Sequence, residues 1–447
     1  MKFYEDTLSG FGKDPRVKCK VIAPNEFKQL PELVNGETII PRGLGRSYGD
    51  ASINENNFVL SSTLLNKFIS FDEAKGILHC ESGVSYEDIL NAFVHRGWFP
   101  AVTPGTKYVT MGGAAASDVH GKNHHNEGGF SNFLLSFKIV LANGEMKHCS
   151  RQDNSHLFWA TVGGMGLTGF ITEVEIQLKK IETPFINHKA IKVNNIEKLF
   201  EEFEKHDDDF IYSVAWVNIS AKGRSLGKSL LLLGNHASEK ELPSSFAKKK
   251  INLEKKLPVP LELPSFTLNN LSIGIFNSLY YMFSSNKNKF IHYDKFFYPL
   301  DSIMNWNNVY GKRGFLQYQF IISPEHGLEA MKKILNKLIE HNAFSFLSVL
   351  KKMSDQKGLL SFPFRGYTLA MDFPKTEKVL LMCKELDKIV LYYGGRTYLT
   401  KDSTLDEPTF KKMYDGNWQE WIELKKKYDP KNRFNSNLAR RVGLCLS

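Results

Sequence analysis

The stretch from Ala101 to Lys180 constrains this chain more than any other. It runs through Pro104-Gly105-Thr106 and Thr110-Met111-Gly112-Gly113-Ala114-Ala115-Ala116-Ser117, and ends on Thr161-Val162-Gly163-Gly164-Met165-Gly166-Leu167-Thr168-Gly169. Runs of Gly and Ala strip side chains from the backbone. The main chain can then approach a large flat group or a pyrophosphate closely. Directly beside this bare backbone stand Asp118, Val119, His120, Gly121, Lys122, Asn123, His124 and His125. Small residues for contact next to ionisable residues for chemistry form the pattern of a cofactor site. Upstream, Thr38-Ile39-Ile40 reads as a short strand. It feeds Pro41-Arg42-Gly43-Leu44-Gly45-Arg46-Ser47-Tyr48-Gly49-Asp50-Ala51. A strand entering a Gly-rich loop with Ser and Arg suits an anion, although the spacing is neither the dinucleotide-binding nor the Walker A pattern.

At 447 residues two domains are the natural expectation, and 42% apolar content is ample for two cores. The formal charge of +10 fits an anionic membrane, a phosphorylated substrate or a solvated Lys-rich surface. No nucleic-acid-binding module accompanies it, so no nucleic-acid partner is expected. The five cysteines are scattered, without CxxC spacing, which argues against a disulfide framework and a zinc site and fits a reducing compartment. Adjacent histidines such as His124 and His125 rarely point at one ion, so no metal is expected. Met1 to Arg16 lacks an apolar core, so no signal peptide is expected. No apolar run is long enough to span a membrane.

Along the chain, residues 1–20 read as a polar lead-in and 25–35 as a short helix. Residues 58–61 and 76–80 read as strands, and 85–96 as a helix opened by Ser85 and Asp88. Asn143-Gly144 marks a hairpin between 137–141 and 145–149, followed by a helix over 153–160 and a strand over 169–179. The second region has strands at 210–217 and 229–233. Residues 246–264 then combine five lysines with three prolines, and 268–283 is rich in apolar and aromatic residues. That pair fits docking on an anionic membrane, a lid over an apolar substrate, or an ordinary Lys-rich loop beside a core helix. In a strand over 314–322, Gln317 and Gln319 share a face by period two, two amides suited to sugar hydroxyls. A helix over 327–341, strands over 344–352 (with Lys351) and 366–373, and a helix over 418–427 complete the reading.

Taken together, several segments resemble the vanillyl-alcohol-oxidase/p-cresol-methylhydroxylase class of FAD-linked oxidases, and within it the decaprenylphosphoryl-β-D-ribose 2′-oxidase group. They are Arg42–Asp50, Pro104–Ala116, His120-Gly-Lys-Asn-His-His125, Leu157–Gly169, Gly314-Phe-Leu-Gln-Tyr-Gln-Phe320, Ser361-Phe-Pro363, Lys401-Asp-Ser403 and Ala439-Arg-Arg441. They span almost the whole chain in order. The resemblance implies an α+β, two-domain fold: an FAD-binding domain over 1–183, an antiparallel-sheet substrate domain over 184–395 with a basic and apolar insertion near 246–290, and a C-terminal segment, 396–447, that returns to the FAD domain.

The resemblance further implies non-covalent FAD, because Arg46 stands where relatives with covalent FAD often carry His. It assigns FAD to residues 41–51, to Gly105, Thr110, Met111, Gly112, Gly113, Ser117, Asp118, Val119 and His120, and to Ile171 and Tyr398. Lys401, His120 and Tyr48 take catalytic positions, with Lys401 either a neutral base or a charged stabiliser. Lys122, Gln317, Gln319, Lys351, Thr368, Ala370 and Lys401 face substrate. Ala370, Thr368 and Phe297 stand where family members commonly carry Cys, Asn and Tyr. The implied activity is oxidation of the 2′-hydroxyl of a polyprenyl-phosphate-linked ribose, the first half of an epimerisation completed by an NAD(P)H-dependent short-chain reductase. The alternative is oxidation of a soluble sugar alcohol or aldonolactone. The lack of an apolar leader favours the cytoplasm or peripheral attachment at the inner membrane, while the resemblance implies the cell envelope as the other setting.

Overall fold

A computed structural model describes residues 2–25, 37–247, 257–259, 270–284, 286 and 288–446. The helix expected over 25–35 and most of the lysine–proline stretch at 246–264 lie outside these residues. No helix among the described residues is long and apolar enough to cross a membrane.

Three large sheets carry the described fold, and a fourth, two-stranded one pairs Leu257–Pro258 with Ile303–Met304. The first orders its strands Tyr4–Leu8, Val17–Ile22, Phe58–Ser61 and Ile39–Arg42, the last three mutually parallel. The lead-in expected over 1–20 is therefore two strands. Tyr4–Leu8 is an exposed edge strand held by backbone pairing, without the apolar alternation that reveals a strand in sequence. The second sheet is antiparallel. Phe170–Lys180 lies at its centre, between Ile77–Glu81 and Leu134–Val140. The hairpin signal is realised: Leu134–Val140 pairs with Met146–Ser150, and Gly144 supplies the positive φ of 86°.

The third sheet has eight antiparallel strands. At its heart Ser348–Met353, Gly366–Pro374 and Phe315–Ile322 lie side by side, and Arg396–Thr397 closes one edge. Side chains alternate across it. Leu316, Tyr318, Phe320, Leu350, Leu369, Met371 and Phe373 join the main apolar core. Helices Ile196–His206, Pro324–Glu340 and Glu377–Tyr392 cover that face. The opposite face carries Val214, Trp216, Leu232, Gln317, Gln319, Val349, Lys351 and Ala370, and all eight border one cavity.

The C-terminal segment ties the sheets together. Ile39 bridges Phe434, and Arg441 grips Asp50 of the first Gly-rich loop and Asp402 beside Lys401, each at 2.7 Å. Burial of both carboxylates makes this double ion pair a rigid link between distant parts of the chain.

Candidate active site

The cavity, about 660 Å³, runs between the first sheet's Gly-rich loop, the Gly/Ala-rich helix and the open face of the eight-stranded sheet. Two glycines explain how the loops come so close. A Cβ on Gly43 would stand 2.2 Å from Thr110 Oγ1, and one on Gly112 would stand 2.8 Å from Ser82 Cβ. Thr110 in turn caps the short helix Met111–Ser117 by accepting from the Gly113 amide. Along residues 43–47 the backbone N–H groups make no hydrogen bond within the described residues. That row of bare donors on the cavity wall matches the anion cradle anticipated from sequence.

Of the cofactor-assigned positions, Pro41 to Tyr48, Ala51, Gly105, Thr110, Gly112, Gly113, Ser117, Val119, His120, Ile171 and Tyr398 border the cavity. Gly49, Asp50, Met111 and Asp118 lie behind its wall. Gly49 packs on the Asp402 carbonyl, and Asp50 is spent on Arg441. Met111 is core, and Asp118 accepts from the Ser131 amide and Gln356. Among the substrate-assigned residues Lys122, Gln317, Gln319, Lys351, Ala370 and Lys401 border the cavity. Thr368 is fully buried, and its Oγ1 accepts from Gln319 Nε2 at 3.1 Å. It fixes the amide from behind. His124 and His125 diverge, His124 to the Ser354 amide and His125 to the Phe210 carbonyl.

At the polar end, Lys401 Nζ sits 4.0 Å from the centre of the Tyr48 ring. Its loop is anchored by the Tyr48 amide donating to the Thr400 carbonyl. Burial draws the Lys401 ammonium down to about 8, opposed by the charge of Asp372. Lys351 falls to about 7 through burial and then the charges of Lys401 and Lys122, and Lys122 to about 7 through burial alone. Lys122 donates to the Phe296 carbonyl and lies over the Phe296 ring at 4.4 Å. His120 is held well below the ordinary histidine range, first by burial and then by Lys351, so it is a neutral ring at working pH. Its Nε2 accepts from Gln319 Nε2 at 3.0 Å, which puts the ring proton on Nδ1, an atom without a protein partner among the described residues. Tyr398 anchors the second Gly segment through its hydroxyl on the Ser117 carbonyl and stacks on Phe362 at 4.7 Å.

Sequence reasoning missed Asp372, whose Oδ1 accepts from Gln317 Nε2 at 2.5 Å. The signal was available: Thr368, Ala370 and Asp372 share one strand face by period two, and only the first two were singled out. The mouth of the cavity was also missed in part. There Trp216 meets Tyr280 edge to face at 4.8 Å, and the exposed Ile303 and Met304 line the same cavity.

None of the five cysteines borders the cavity, and Ala370 does. Nitroaromatic inhibitors that capture a pocket thiol are therefore expected to leave no adduct on this protein. Ala370→Cys is expected to create one. Intact-mass spectrometry after turnover reads both, and an adduct on the unaltered chain would contradict the assignment.

Comparison with known proteins places these features in a family. Residues 26–150 match the FAD binding domain model, and 368–442 match the D-arabinono-1,4-lactone oxidase model. Over its full length the chain is similar to decaprenylphosphoryl-β-D-ribose oxidase of Mycolicibacterium smegmatis, 34% identical over 98% of this chain and 97% of the relative. An uncharacterized Streptomyces coelicolor protein is 28% identical over 78% of this chain and 96% of its own length. Cytokinin dehydrogenase 2 of Arabidopsis thaliana matches only about a third of each chain, at 28% identity. The bare amides of residues 43–47 and the interlocked glycines fit the pyrophosphate of FAD, and the cavity beyond them leads to the lysine cluster. The chain thus belongs to the family of decaprenylphosphoryl-β-D-ribose oxidase, FAD-dependent oxidoreductases that act on CH–OH groups.

Proposed function

We propose that the protein oxidises the 2′-hydroxyl of a polyprenyl-phosphate-linked ribose to the 2′-ketone. The observation that carries this is the cavity's division into two chemistries. One end gathers Lys122, Lys351 and Lys401 with the amides of Gln317 and Gln319. The mouth is apolar, formed by Trp216, Tyr280, Ile303 and Met304. Beyond the mouth the helix Asn270–Phe283 exposes Ile275, Leu279, Met282 and Phe283, while Ile273 is buried. A sugar phosphate suits the first end, and a polyisoprenoid chain suits the second and the exposed ridge. A soluble sugar alcohol needs neither the ridge nor three converging cations.

Bound FAD supplies the acceptor for the carbinol hydride. Burial lowers Lys401 towards its neutral form, which suits it to take the hydroxyl proton. Gln319, locked by His120 and Thr368, holds a sugar oxygen. Lys122 and Lys351 hold the phosphate, and a bound phosphate favours their charged forms. As pH rises through about 7 the empty site loses these two charges. The KM for the lipid-linked sugar phosphate should therefore rise about tenfold between pH 6 and pH 9. A KM that does not change with pH would remove the phosphate role.

The test of the reaction is product trapping. Anaerobic turnover of lipid-linked phosphoribose followed by borodeuteride should place deuterium at C2 of the pentose. Deuterium elsewhere, or none, would overturn the proposal. We also propose a division into FAD and substrate domains near residues 183 and 395, peripheral attachment at the inner membrane through the helix ridge, and an NAD(P)H-dependent reductase as consumer of the ketone. The chemistry of epimerisation requires a hydride to be returned to the same carbon.

A further inference from the structure

Behind the substrate wall lies a carboxylate that the reaction as described does not use. Asp372 is buried, and it borders no part of the cavity. Its Oδ1 accepts from Gln317 Nε2 at 2.5 Å, and the same nitrogen lies 3.2 Å from the Tyr48 hydroxyl. An amide nitrogen has two hydrogens. Burial raises Asp372 to about 7, while the Gln317 hydrogen bond and the charge of Lys401 favour its ionised form; as a carboxylate it can only accept, so one hydrogen is committed to Asp372 and fixes which way the amide faces. The other hydrogen then points at Tyr48 Oη, which accepts. The phenol proton is consequently not used on Gln317, and Tyr48 Oη has no other partner among the described residues. Tyr48 borders the cavity.

We propose that Asp372 is a positioning residue that sets the hydrogen-bond polarity of the substrate wall, locking Gln317 so that the Tyr48 phenol donates into the cavity. With the lock removed the amide can turn its oxygen towards Tyr48. The phenol then donates backwards, and the cavity meets a lone pair where it had met a proton. A donor at that place favours a substrate oxygen that is losing its own proton or becoming a carbonyl, which is the direction of oxidation. The groups facing Asp372 are Gln317 on the neighbouring strand, Lys401 and Tyr48 from the two loops, Tyr310, and Ser345, whose Oγ accepts from the Asp372 amide. Of these, Gln317 alone makes a side-chain hydrogen bond to the carboxylate. The second carboxylate oxygen has no hydrogen-bond partner among the described residues, which fits a residue kept for one contact.

The inference rests on the alcohol oxidation proposed above, and the experiment separates the two. Single-turnover flavin reduction at saturating substrate is measured for the unaltered protein, Asp372→Leu, Asp372→Asn, Tyr48→Phe and Asp372→Leu combined with Tyr48→Phe. Asp372→Leu should lower the rate about tenfold, the scale of one misdirected hydrogen bond. Asp372→Asn should stay within about threefold, because its amide oxygen can accept the same bond. In the Tyr48→Phe background Asp372→Leu should have no further effect. Equal losses in Leu and Asn would show that charge on Lys401, not bond polarity, is the role. An equal loss with and without Tyr48 would show a structural role. Either result overturns the inference. If Asp372→Leu fails to take up FAD, Asp372→Ala replaces it in the same cycle, since it too frees the Gln317 amide to turn, with the same expectation and the same overturning result. An unaltered protein that the substrate does not reduce would fail the functional reading instead.

Discussion

Lys401→Ala is expected to leave FAD bound and to slow flavin reduction by the sugar substrate about a thousandfold. The reasoning is local. Lys401 Nζ lies 4.0 Å from the centre of the Tyr48 ring, and burial draws its amine down to about 8. Truncation removes both the proton acceptor and the positive charge. The cofactor loops do not depend on the side chain: the Tyr48 amide is held by the Thr400 carbonyl, and Asp402 by Arg441. Stopped-flow absorbance of the yellow protein reads the rate and the bound cofactor together. Reduction at the unaltered rate would remove Lys401 from the reaction, and a colourless protein would move its role to cofactor binding.

The second large effect concerns stability. Lys425 is fully buried on the C-terminal helix Asn417–Tyr428. Its ammonium donates to Asp429 Oδ2 at 2.6 Å, to the Leu167 carbonyl at 2.7 Å and to the Phe434 carbonyl at 2.6 Å. One side chain thereby joins the C-terminal segment to the Gly-rich turn that ends the second cofactor segment. Lys425→Ala leaves a buried carboxylate facing two unpaired carbonyls. The expected cost is about 3–5 kcal/mol, enough to lower the melting temperature by about 4 °C in a chain of this length. Thermal unfolding followed by flavin fluorescence checks it. A melting temperature within about 1 °C of the unaltered protein would show that water replaces the ammonium.

Lys425 also shows where a sequence stops informing. A lysine in a polar helix reads as surface, and only the tertiary fold reveals three acceptors around it. The same holds for Arg441, whose partners Asp50 and Asp402 lie far away in the chain. Elements with local physics were legible. Ser85 and Asp88 form the capping box expected of them, and Gln317 and Gln319 face one cavity as period two requires. The helix Glu377–Tyr392 had a readable signal, Thr376 as cap and Val379, Met382, Cys383, Leu386 and Val390 on one face, but it was not anticipated. Tyr4–Leu8 had no such signal, because pairing alone makes it a strand. At the site, motif resemblance singled out residues adjacent in sequence. The structure separates those that border the cavity, such as Gly43, from those that hold it in shape, such as Asp50.

The account's central claim is that one cavity oxidises a sugar presented on a lipid phosphate. Anaerobic bleaching of the flavin tests it most directly, with polyprenyl-phosphoribose in one cell and free ribitol or xylitol in another. The account predicts bleaching by the lipid-linked sugar and none by the polyols at matched concentration. Bleaching by the free polyols, with the lipid-linked sugar inert, would contradict it.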